Sequence, residues 1–269
     1  LIDVLGRAGL GRRSAEVFSQ MQRTGMQATH GEYGSLLWAY SRSGAAQPAQ
    51  ALFDKMTQDG MQPSAAHYGA LLKAYLRAGS PVRAEELRDT MRQRGVWLEP
   101  CTSGLLIHAY GKAGLAVHAQ RIFDEVVRSG CKPGAMEYGA LIYAYSKCRR
   151  PDQAQRVFDD LVACGMTPNQ RHYGALLDAY AQVGQLSRAE PILEQMQAQG
   201  LKAGAIEYGA LLGGYCRAGR LSDAERIFAQ MQQDGVPANS VHYNALISAY
   251  RSAQQFQKAD KLKLQMQEG

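Results

Sequence analysis

Glu32-Tyr33-Gly34-Ser35-Leu36-Leu37-Trp38-Ala39-Tyr40 decides the fold, because nearly the same phrase returns along the whole chain. Tyr-Gly-Ala-Leu-Leu-Lys-Ala-Tyr starts at Tyr68, Tyr-Gly-Ala-Leu-Ile-Tyr-Ala-Tyr at Tyr138, and further copies at Tyr173, Tyr208 and Tyr243, with a degenerate copy at Ser103. Gly34, Gly69, Gly104, Gly139, Gly174, Gly209 and Asn244 hold one slot at a period of 35 residues without an insertion. Self-similarity at this length is the signature of a stacked-repeat solenoid. Counted from His30, the repeats run 30–64, 65–99, 100–134, 135–169, 170–204, 205–239 and an incomplete 240–269, with 1–29 as the tail of an earlier one. Both edges read as cuts through a longer array.

Two helical stripes alternate within each repeat. Tyr33, Leu36, Leu37 and Tyr40 fall at i, i+3, i+4 and i+7, one face of a helix, and Ala49, Leu52, Phe53 and Met56 repeat the pattern. A glycine stands between the stripes (Gly9, Gly44, Gly79, Gly114, Gly184, Gly219) and another follows the second stripe, from Gly25 to Gly235, where a helix end favours positive φ. Pro81 and Pro151 fall where a second helix begins, a place that tolerates the missing N–H. Pro191 lies inside a second helix and is expected to kink it or delay its start. The second helix of 65–99 is degenerate, with Arg88 in the phenylalanine slot, and so is the first helix of 100–134, with Ser103 in the tyrosine slot; Arg149 and Gln254 replace turn glycines. No β-strand pattern survives. One helix pair cannot bury both stripes alone, so neighbour-on-neighbour packing must supply the stability of an elongated all-α array.

Composition narrows the function. The net charge of +6 and pI near 9.1 suit a polyanionic partner. No apolar run reaches membrane-spanning length, so no membrane is expected. Cys101, Cys131, Cys148, Cys164 and Cys216 lack any Cys-x-x-Cys spacing and read as reduced thiols in small helix positions. There is no phosphate loop and no nucleophile motif, and the six histidines assemble no metal set. No enzyme, cofactor, metal or small-molecule substrate is expected. His67, His172 and His242 share the third position with Glu32, Glu137 and Glu207, which predicts a row of partly solvated His–Glu pairs.

These residues resemble the pentatricopeptide repeat (PPR) family, and within it the plain class whose repeats are all 35 long. The resemblance rests on Tyr-x-x-Leu-Ile/Leu first helices, Lys112-Ala113-Gly114 and Arg217-Ala218-Gly219 turns, Ala-x-x-x-Phe-x-x-Met second helices and ends such as Gly60-Met61-Gln62-Pro63. Tetratricopeptide repeats share the architecture but run at 34 with an opening that is missing here. The resemblance implies a right-handed superhelix whose first helices line the concave face. It also implies organellar single-stranded RNA binding, in mitochondria in preference to chloroplasts, at roughly one repeat per base.

Carried over from the family, the base-reading pairs are the fifth and last residues of each repeat: Gly34/Ser64, Gly69/Glu99, Gly104/Gly134, Gly139/Asn169, Gly174/Gly204, Gly209/Asn239, then Asn244 alone. Glycine has no side chain with which to read a base edge, so weak base readout is expected. The second residue would pack on a base, and Met136, Ile206 and Val241 are the good apolar wedges. Arg7, Arg42, Arg77, Lys112, Lys147 and Arg217 share position 13, read both as a phosphate-contacting row and as cations favourable at helix C-termini. The expected role is an RNA-binding protein of RNA maturation, stability or translation. The alternative is a structural subunit of an organellar ribonucleoprotein such as the mitochondrial ribosome, contacting rRNA and ribosomal or other complex proteins. The sixfold glycine at position 5 costs about 1 kcal/mol per interior helical copy. It reads either as inherited by duplication or as room for a close partner.

Overall fold

The computed structural model describes residues 2–8, 10–96 and 103–268, without the side chains of Arg7 and Glu268. Expectations on Leu1, Gly9, Glu99, Cys101 and Gly269, and on the Arg7 side chain, lie outside the described residues. Among these residues the chain is all α-helical, with no strand. The helices are α1 (Ile2–Arg7), α2 (Gly11–Arg23), α3 (His30–Ser43), α4 (Ala46–Gln58), α5 (Ala65–Arg77), α6 (Pro81–Gln93), α7 (Ser103–Lys112) and α8 (Ala116–Arg128). They continue as α9 (Ala135–Lys147), α10 (Pro151–Ala163), α11 (Gln170–Gln182), α12 (Leu186–Ala198), α13 (Ala205–Arg217), α14 (Leu221–Gln233), α15 (Ser240–Ser252) and α16 (Phe256–Glu268).

The chain divides into two compact blocks, Leu1–Ala113 with Val117–Lys132, and Gly114–Ala116 with Pro133–Gly269. In the first, α1, α3, α5 and α7 pack each on the next, and α2 and α4 each bridge two of these first helices. In the second, α9, α11, α13 and α15 form the corresponding layer, bridged by α10, α12 and α14. The all-α solenoid read from the sequence is thus the fold of the protein.

Local chemistry sets the helix ends. Gly44 closes α3 in the left-handed conformation at φ 69°. Arg149 and Gln254 take φ 54° and 59° in the corresponding slot. A side chain there costs about 1–2 kcal/mol, so the surrounding packing imposes the turn on these two residues. Pro81 and Pro151 open α6 and α10 at their first turns. Pro191 does not delay α12, which starts at Leu186 and runs helical through it, because neighbouring helices hold that register.

The two tyrosines of each repeat do different work. At position 4, Tyr33 and Tyr208 donate to Asp59 and Asp234 at the end of their own second helices. At position 11, Tyr75, Tyr110, Tyr180 and Tyr250 donate to Gln50, Glu85, Gln155 and Glu225 on the second helix of the preceding repeat. The second-helix phenylalanine meets the next position-4 tyrosine edge-on in Phe18–Tyr33, Phe53–Tyr68 and Phe228–Tyr243 and tilted in Phe158–Tyr173. Such a pair contributes about 0.5–1.5 kcal/mol beyond its burial. Arg88 and Ser103 are therefore the two halves of one missing aromatic joint. In its place the buried Arg88 guanidinium bridges Glu85 and Glu125.

Candidate nucleic-acid interface

At about 100° per residue, positions 4, 7, 8 and 11 of a first helix share one face and positions 2, 6, 9 and 13 the opposite one. The first set is the buried stripe Tyr33, Leu36, Leu37 and, half-buried, Tyr40. The second is left to solvent. There Met136, Ile206 and Val241 are 57%, 75% and 66% exposed. The three expected wedges thus point away from the core, on the same face as the position-13 cations. Positions 3 and 5 flank this face and meet the neighbouring first helices.

That flank explains the glycines. His172 lies between two backbones: Nδ1 accepts from Asn169 N–H at 3.0 Å and Nε2 donates to Ala135 O, in the preceding first helix, at 2.8 Å. The two partners together demand one neutral tautomer, protonated on Nε2. Burial lowers the pKa of this imidazole below the ordinary histidine value, against the raising effect of the Ala135 carbonyl. His67 and His242 make the same two bonds, to Ser64 N and His30 O and to Asn239 N and Ala205 O. In α13, Glu207 takes the Gly204 N–H at 2.8 Å and Gln170 Nε2 at 3.2 Å. The expected row of partly solvated His–Glu pairs is thereby corrected. His67, His172, Glu137, Glu207 and His242 are buried, and the described hydrogen bonds of the latches run to backbone, to Ser64 Oγ and to Gln170 because each side chain fills a helix–helix seam.

A Cβ at the position-5 glycine would enter that seam. At Gly139 it would meet His172 at 3.1 Å, at Gly209 His242 at 3.1 Å, at Gly34 His67 at 3.4 Å and at Gly174 Glu207 at 2.7 Å. Gly69 meets nothing, and Thr102, which occupies position 3 of the next repeat, lies outside the described residues. The slot is therefore glycine so that the following repeat can latch backward onto its predecessor. Asn244, exposed, keeps a side chain there.

Among the described residues, Ser64, Gly134, Asn169, Gly204 and Asn239, each the last of its repeat, are the N-caps of the next first helices. Asn169 Oδ1 accepts from Arg171 N–H at 3.0 Å and His172 N–H at 3.3 Å, and Asn239 Oδ1 from Val241 and His242 N–H at 3.0 and 3.4 Å. Ser64 caps α5 beside His67, while Gly134 and Gly204 cap with backbone alone. Their N-cap role was legible in the Ser-x-x-His, Asn-x-x-His and Gly-x-x-Glu spacing, a capping box with histidine or glutamate as the returning arm. With Oδ1 engaged, Asn169 and Asn239 present only their amide nitrogens to a ligand.

The position-13 cations are exposed and serve two ends. Arg77 Nη1 donates to Ser41 O and Arg42 O at 3.1 and 2.9 Å, capping the C-terminus of α3 from the next repeat, and Arg217 Nη2 reaches Ala181 O of α11 at 3.3 Å. Cations at a helix C-terminus contribute about 0.3–1 kcal/mol. Arg42 lies over the Trp38 ring, 5.2 Å from its centroid, and Lys147 over Tyr143 at the same distance. Where the row breaks at Gln182, the amide bonds Asp178 at 2.6 Å, and Asp178 also accepts from Ser146 and lies 3.6 Å from Lys147.

The pattern called pentatricopeptide repeat domain matches residues 16–78, 51–111, 86–148, 156–202 and 191–252, and the PPR repeat pattern matches 1–26, 138–166 and 241–269. Curated proteins yielded no match. Among solved structures, the chain is similar to the pentatricopeptide repeat protein PPR10 in complex with an 18-nucleotide psaJ RNA element, with 26% identity and a TM-score of 0.89. That alignment covers 97% of this chain and 38% of the other, so the chain spans well under half of its relative. PPR10 from maize aligns at 23% identity and TM-score 0.67, over 99% of this chain and 43% of that one. The PPR domain of Arabidopsis thaliana protein-only RNase P 1 in complex with tRNA aligns at 21% identity and TM-score 0.52, over 60% and 86%. At that identity the likeness is one of fold.

Proposed function

The chain belongs to the pentatricopeptide repeat family, and on that premise we propose that it binds single-stranded RNA with little discrimination among bases. The observation that carries this reading is the composition of the outward face of the first helices, block by block. In the first block it carries the cations Arg42, Arg77 and Lys112, and in the second the apolar wedges Met136, Ile206 and Val241 with the cations Lys147 and Arg217, while the flanking position 5 is glycine from Gly34 to Gly209. Phosphate contacts hold and position a strand without identifying it. The similarity to an RNA-bound PPR protein supports the same partner. We place the activity in mitochondria or chloroplasts, the family's usual setting, in RNA maturation, stability or translation.

The test replaces Arg42, Lys112 and Lys147 with Gln, leaving the helix-capping Arg77 and Arg217 in place. Each lost phosphate contact removes about 0.7 from the slope of log K against log salt, so the triple variant is expected to bind every single strand more weakly with a slope flatter by about 2. An unchanged slope would overturn the phosphate assignment.

A further inference from the structure

Across the seven repeats from His30 onward, Asp178 is the one acidic residue at positions 2, 6, 9 and 13, the outward face of the first helices. It stands at position 9 of α11, and position 13 of the same helix is Gln182, so the cation of that row is missing one turn after the acid. The carboxylate is anchored. Its Oδ2 accepts from the buried Ser146 hydroxyl of α9 at 2.7 Å and from Gln182 Nε2 at 2.6 Å, and lies 3.6 Å from Lys147 Nζ. Lys147 is the position-13 cation of the preceding repeat, 41% exposed, and lies over the Tyr143 ring as well. These residues all belong to the second block, where α9 packs on α11. One cation of the basic row is thus engaged by an anion of the protein itself.

We propose that Asp178 is a built-in competitor for the RNA backbone: it holds Lys147 in the free protein, and a phosphate must draw the ammonium away from it to bind where α9 meets α11. This deepens the proposed RNA binding and rests on it. A lysine ammonium is a compact point charge, so a carboxylate and a phosphate that both call on it weaken one another's hold. Asp178 acts a second time through its own charge, which repels a phosphate lying within the screening length of about 8 Å at physiological salt. The carboxylate cannot turn aside without giving up its bonds to Ser146 and Gln182. Arg171, the other charged residue on this face of α11, stands two turns earlier, about 10 Å along the helix axis. The grip of the second block on a strand is therefore weakest between repeats 135–169 and 170–204.

The experiment measures affinity for one mixed-sequence single-stranded RNA in the unmodified protein, Asp178→Asn, Lys147→Gln and the double variant. Asp178→Asn keeps an oxygen to accept from Ser146 and Gln182 and removes only the charge, so the packing of α9 on α11 is preserved. Releasing Lys147 should tighten binding about two- to fivefold at about 0.05 M salt, the span of a surface ion pair. The gain should shrink at about 0.2 M salt, where the attraction between Lys147 and Asp178 is screened. In the Lys147→Gln background it should fall to roughly half or less, because the competition is then over a cation that is gone. An unchanged affinity in Asp178→Asn, or a gain of equal size with and without Lys147, would overturn the competition and leave RNA binding standing. Failure of both the unmodified protein and Asp178→Asn to bind RNA would overturn the RNA-binding reading, and the competition with it.

Discussion

Gly139→Ala should change sign with the residue that faces it. In an ordinary helix interior the substitution stabilises by up to about 1 kcal/mol. Here the new Cβ would meet Cδ2 and Nε2 of His172, both at 3.1 Å, and the ring cannot retreat without lengthening its 2.8 Å bond to Ala135 O. Leaving a buried donor or acceptor unpaired costs about 1–3 kcal/mol, so the net effect in the unmodified protein is destabilisation of about 0–2 kcal/mol. His172→Ala alone removes both latch bonds and empties the seam, for a loss of about 2–3 kcal/mol. In that background nothing opposes the methyl group, and Gly139→Ala should stabilise. The four proteins form a double-mutant cycle with a coupling energy of about 1–3 kcal/mol, read from urea unfolding at fixed pH. If Gly139→Ala has the same sign and size in both backgrounds, the glycine is not there for the histidine and the packing account is refuted.

Because burial depresses the His172 pKa, the stability it provides is fully present above the unfolded value of 6.5 and is lost as pH falls through the lower folded value, so the melting temperature should drop below about pH 6.5 by less in His172→Gln than in the unmodified protein. Pro191→Ala should raise stability by about 1–3 kcal/mol in thermal unfolding, since the exposed proline removes a backbone donor inside α12. Arg88→Met should cost about 1–3 kcal/mol, because the buried guanidinium is a partner of both half-buried Glu85 and Glu125, which keep only Tyr110 and Arg92, whereas Arg92→Ala, whose side chain is 42% exposed, should cost less than about 1 kcal/mol in the urea titration.

The helices were legible because their stripes are apolar at helical spacing and their turns carry glycine, signals that local sequence holds complete. The solvent-facing wedges and cations were legible for the same reason, since a helical wheel places positions 2 and 13 opposite Leu36 and Leu37. What the sequence concealed was the partner across each seam. Gly139 and His172 are 33 residues apart, and only the stacking of α9 on α11 shows that one makes room for the other. The recurring glycine therefore has a packing cause, and the close partner it makes room for is a side chain of the next first helix. It also means that Gly139→Asn, which would look like restored base reading beside Asn169, must first displace His172. Arg88 and Ser103 likewise read as two separate defects until the Phe–Tyr joints at Phe18, Phe53, Phe158 and Phe228 showed them to be one.

Selection from a random single-stranded RNA pool tests the central claim most directly. With glycine at position 5 of the repeats from 30 to 239 and the Asn169 and Asn239 carbonyls engaged as helix caps, the protein is predicted to enrich single strands with no consensus and to bind unrelated members of the pool within a narrow range of affinity. A sharp consensus of about five or more bases, each worth about 1–3 kcal/mol of discrimination, would contradict the account.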